Sequence, residues 1–93
     1  MIKVFLVDDH DLMREGIRAL LAQDPQISVV GEAGDGAEAV RAIRGAKPDV
    51  VLMDIMMPGI YGVETTQALR ERYPDIQVLA LTSFHNSNLV QGV

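Results

Sequence analysis

A chain of 93 residues, 48% apolar and 23% charged, has room for one hydrophobic core and should bury roughly 60 to 70% of its unfolded surface. It holds no cysteine, which excludes disulfides and thiolate metal sites, and no apolar run approaches the ~20 residues of a membrane helix. A net charge of -5, with lysines and arginines scattered singly, excludes direct nucleic-acid binding, and with no leader before Ile2 the expected compartment is the cytoplasm.

Along the chain, strand and helix patterns alternate. Residues 2–7 are a nearly unbroken apolar run, interrupted at Lys3, as expected of a parallel strand covered on both faces. Met13, Ile17, Leu20 and Leu21 then recur at helical spacing over 11–23, with Asp11 as a candidate cap and Pro25 as the stop. Residues 27–33 alternate less cleanly and include Gly31, which suits an edge strand. Asp35 followed by Glu38 resembles a capping box for a helix over 36–44, with Gly45 as its terminator. A third strand is expected over 49–53, a helix over 63–73 halted by Pro74, and a fourth strand over 76–81. Asn86 or Ser87 could cap a last helix carrying Leu89, Val90 and Val93, over 86–93. Such a βαβαβαβα order calls for one parallel sheet with right-handed crossovers and helices on both faces, an α/β fold.

Three of these strands end in oxygen-bearing side chains: Asp8 and Asp9 after the first, Asp54 after the third, Thr82 and Ser83 after the fourth. In an open parallel sheet those ends share one edge, where ligands bind. Aspartates gathered there would repel one another unless a cation neutralised them, and an all-oxygen site suits Mg²⁺, or Mn²⁺, better than zinc. With the ion in place one carboxylate can attack phosphorus. Asp54, single and central, is the better nucleophile; Asp8 and Asp9 are the better metal holders. The Thr82 hydroxyl can donate a hydrogen bond to a transferred phosphoryl group.

The motifs V-D-D-H at Val7 to His10, V-L-M-D-I-M-M-P-G at Val51 to Gly59 and L-A-L-T-S at Leu79 to Ser83 resemble the receiver domain of two-component response regulators. With G-E-A-G-D-G and G-V-E-T-T, the sequence looks most like the NarL/FixJ subfamily, which carries a LuxR-type helix-turn-helix after the receiver. The resemblance implies a flavodoxin-like (CheY-like) sheet of order 2-1-3-4, short of the family's fifth strand and fifth helix. It implies that Asp54 accepts a phosphoryl group from a sensor histidine kinase, that Asp8, Asp9 and Asp54 hold Mg²⁺ with the Met56 backbone carbonyl, and that Thr82 is the switch hydroxyl. The protein would then be a phosphorylation-dependent switch rather than an enzyme, acting on transcription through an output domain outside this chain. Met56 and Phe84, two positions after Asp54 and Thr82, would border the water approach and cannot orient a water, so a slowly hydrolysing aspartyl phosphate is implied.

The sequence also departs from the family. The lysine and the switching aromatic residue of the fifth strand are missing, and Lys3 and Lys47 fall at the opposite ends of the strands. The chain therefore reads as a truncated receiver, with an exposed fourth strand and a first helix short of a packing neighbour. Pairing with a second copy, edge to edge or by swapping, would cover that surface. His10 and His85 are expected to be loop residues without chemistry, while Tyr61, Phe84 and most of the five methionines pack. Two rivals stand beside this reading. One is a degenerate receiver used as a binding or scaffold module; the other is an aspartyl-nucleophile phosphohydrolase, which would place a D-x-D arrangement where Asp8 and Asp9 are adjacent.

Overall fold

The computed structural model of the chain describes residues 1–54 and 62–81. In chain order they form β1 (Ile2–Val7), α1 (Asp11–Leu21), β2 (Ile27–Ala33), α2 (Gly36–Ala46), β3 (Val50–Asp54), α3 (Gly62–Arg72) and β4 (Gln77–Leu81). The strands pair in parallel in the order β2-β1-β3-β4, the doubly wound arrangement expected from the sequence. The chain steps one way from β1 to β2 and then reverses to β3 and β4. With right-handed crossovers, that reversal puts α1 on one face and α2 with α3 on the other. The helix expected over 86–93 lies outside the described residues.

The two faces are unequally filled. On one, Phe5 and Val7 of β1, Val51 and Met53 of β3 and Val78 of β4 meet Ala39 and Ile43 of α2 and Leu69 of α3 in a single buried core. On the other, Val4 and Leu6 are buried, but Leu79 of β4 is 47% exposed. No residue of α1 is fully buried; Leu20, expected in its inward stripe, is 66% exposed. Helix α1 is therefore only partly sunk, with Met13, Ile17 and Leu21 half-buried and with Arg14 and Arg18 tying it to Glu32 of β2.

As an edge strand, β2 accommodates an irregularity: Val4 pairs with Val29 and Phe5 with Gly31, leaving Val30 as the extra residue of a bulge. Gly31 is required there by space. A Cβ at this position would lie 2.6 Å from Cε2 of the buried Phe5 ring, which occupies the room glycine leaves.

Helix ends differ from the sequence pattern for identifiable reasons. At α2 half of the capping box forms: the Glu38 N–H donates to Asp35 Oδ1 at 2.7 Å, while Glu38 Oε2 reaches past the cap to accept the Gly34 N–H at 3.4 Å. Gly45 does not end this helix. It continues to Ala46 and closes on Lys47, in the left-handed region at φ 49°, because Pro48 bars right-handed helical geometry from the residue before it. Helix α1 stops at Leu21 rather than near residue 23, and a turn closed by the Asp24 side chain on the Gln26 N–H follows. Asp11 is not its cap: extended His10 holds that position without a side-chain bond, and Asp11 in the first turn pairs with Arg14 at 2.5 Å.

Candidate functional site

The register that sets Val7 beside Met53 brings the next residues, Asp8 and Asp54, side by side at the carboxyl ends of the two central strands. They share the parity of Leu6 and Leu52, and both are buried, at 6% and 3% exposure. The Asp8 N–H donates to the Ala33 carbonyl at 3.1 Å, which carries the β1 pairing with β2 one residue past the strand. Asp8 Oδ1 accepts the His10 N–H at 2.8 Å, a two-residue side-chain turn that swings the chain out of the sheet and into α1. Ligand atoms of Asp8, Asp9, His10 and Asp54 all lie within 4.8 Å of one another.

Three carboxylates within that span repel unless positive charge enters among them. His10 supplies such a charge when protonated, its Nδ1 lying 3.1 Å from both Asp8 Oδ1 and Asp9 Oδ1. The hydrogen bond to Asp8, and next the charge of Asp9, raise its pKa above the ordinary 6.5 against the opposing effect of desolvation, and the charges of Asp8 and Asp54 add least. His10, expected as a loop residue without chemistry, does lie between β1 and α1, with its ring against the acidic edge. A lone histidine reads as loop; the signal that locates it is its place two residues after Asp8, the spacing of a side-chain turn.

The cluster also fits a hard cation. Asp9 Oδ1 is buried and, beside the His10 ring 3.1 Å away, makes no hydrogen bond, an acceptor with a lone pair to offer. Carboxylate oxygens without thiolates suit Mg²⁺ or Mn²⁺. Asp8, Asp9 and Asp54, proposed from the sequence as one set, are together here. Met56 and Thr82, and with them Tyr61, Phe84 and His85, lie outside the described residues. Lys3 and Lys47 sit at the amino-terminal ends of β1 and β3, where the Lys3 N–H donates to Asp49 Oδ2 at 2.8 Å, away from the acidic edge.

The chain matches the family described as Response regulator receiver domain over residues 4–93. It is 52% identical over 82 residues to the response regulator GacA of Pseudomonas syringae pv. syringae, covering 88% of this chain and 38% of that protein. To the transcriptional regulatory protein LiaR of Bacillus subtilis it is 43% identical over 93 residues, covering 100% of this chain and 44% of the relative. Among solved structures, a two-component response regulator of the LuxR family from an Aurantimonas species superposes with a TM-score of 0.85 at 37% identity, over 98% of this chain and 65% of that one. The chain thus spans less than half the length of these curated relatives. No described helix is long and apolar enough to cross a membrane.

Proposed function

The chain belongs to the response regulator receiver domain family of two-component systems, and on that premise we propose that it is a Mg²⁺-dependent phosphoacceptor switch with Asp54 as the acceptor. The observation that carries this reading is the meeting of buried Asp54 with Asp8 and Asp9 within one ion's reach at the carboxyl edge of the sheet. A bound cation there would neutralise the three carboxylates and the oxygens of an incoming phosphoryl group. Asp8, Asp9 and Asp54 would hold it, with the Met56 carbonyl as a further ligand. Asp54 attacks phosphorus in line; its oxygen forms the new O–P bond as the donor's P–N or P–O bond breaks, and the electron pair leaves with the donor. Burial of Asp54 limits water at the acyl phosphate so formed. Thr82 would donate its hydroxyl to the new phosphoryl oxygens, whose nearly two added charges bias the loop after β4.

In the same reading the donor is a sensor histidine kinase in the cytoplasm, and the output is transcription, exerted through a DNA-binding domain outside this chain; the similarity to the transcriptional regulatory protein LiaR supports this. Self-association through the α1 side of the sheet belongs to it too. The test is acyl-phosphate labelling with and without Mg²⁺, on wild type and Asp54→Asn. One phosphoryl group per wild-type chain, dependent on Mg²⁺ and lost in the variant, is expected. No labelling would favour a degenerate receiver acting as a scaffold, and repeated turnover of a generic phosphatase substrate would favour a phosphohydrolase.

A further inference from the structure

Arg14 lies one turn into α1 and turns its guanidinium back under the acidic edge, where its side chain is only 17% exposed. Its three nitrogens each donate to a different chain segment. Nη1 donates to the Asp8 backbone carbonyl. Nε donates to Glu32 Oε1 of β2 at 3.2 Å, and Nη2 to Asp11 Oδ1 at 2.5 Å. Glu32 is in turn fixed from its other oxygen by Arg18. Gly34 lies alongside: a Cβ there would stand 3.4 Å from Arg14 Nη1.

From this bracket we infer that Arg14 is a positioning residue for the cation site, acting through the Asp8–Asp9 peptide; the inference rests on the metal-binding reading above. A peptide unit is planar, so gripping the Asp8 carbonyl fixes the plane from which the Asp9 Cα departs. Asp8 is then held at all its polar points: N–H by Ala33, carbonyl by Arg14, carboxylate by the His10 N–H. Asp9 Oδ1 makes no hydrogen bond and is faced by the half-exposed His10 ring at 3.1 Å, so its placement toward Asp54 leans on that peptide. A guanidinium supplies this because its planar fork reaches the carbonyl, Glu32 and Asp11 at once; an ammonium is a single point.

Charge and geometry predict opposite signs, which makes the inference testable by direct calorimetric titration with Mg²⁺ alone, alongside thermal melts. Arg14→Met removes a positive charge beside the site, so an electrostatic role alone would tighten Mg²⁺. Loss of positioning weakens it, by about tenfold as for other groups that orient ligands. Arg14→Lys should fall between wild type and Arg14→Met, and it decides the matter if Arg14→Met gives no cooperative melt. Ile43→Val, a core change at the far end of α2, should lower Tm and leave Mg²⁺ affinity unchanged. Wild-type or tighter affinity in the folded Arg14 variants overturns the inference. If Asp9→Asn abolishes binding while Arg14→Met leaves it intact, the bracket alone is wrong. If wild type shows no saturable binding, the metal reading fails and takes the inference with it.

Discussion

His10 shows how one side chain can carry two relations to the same carboxylates. Its imidazole sits 3.1 Å from oxygens of Asp8 and Asp9, in the space a cation would contest. Because its folded-state pKa is raised above 6.5, its ion pairing contributes stability fully present below pH 6.5 and lost as pH rises through the raised value. A ring-proton NMR titration should give a midpoint above 6.5, and Asp8→Asn, which removes the largest cause, should lower it. Saturating Mg²⁺ should also lower it, since proton and cation are linked through shared ligands. A midpoint indifferent to Mg²⁺ would show that the ion does not bind among these oxygens.

At the scale of elements, each strand and helix is set by a few decisive residues. β2 is fitted to β1 by the pairing of Gly31 with Phe5 across a bulge. Gly31→Ala drives a methyl to within 2.6 Å of a ring that is 1% exposed, so either the ring leaves its rotamer or the strands part. A loss of about 1–3 kcal/mol is expected, read as a lower urea midpoint with an unchanged slope. A midpoint equal to wild type would mean that the edge strand yields freely. α2 illustrates the opposite case: its start follows from Asp35 and Glu38, and its end from Pro48, so both boundaries are local.

For the whole molecule, the imbalance between the faces matters most. The α2–α3 side is a closed core, while on the α1 side Leu12 and Leu20 are 81% and 66% exposed and Leu79 of β4 is 47% exposed. Exposed leucines on one side of a small domain favour association, and a net charge of -5 on each chain opposes it. Salt screens the charge and spares the apolar contact. Light scattering should therefore give a mass above the 10.1 kDa of one chain, rising with salt. A single-chain mass at every concentration and ionic strength would count against self-association.

Periodicity and punctuation determined the element order, the parallel sheet and the convergence of Asp8, Asp9 and Asp54, because a carboxylate that ends a buried parallel strand has one edge to occupy. Gly31 likewise placed its strand at the edge. Tertiary structure alone decided the rest. His10 joined the acidic cluster, and Arg14 reached the Asp8 carbonyl from six residues away, through side-chain directions that no spacing rule encodes. Local backbone preference is written residue by residue, whereas which polar atoms meet depends on the rotation of packed elements about one another.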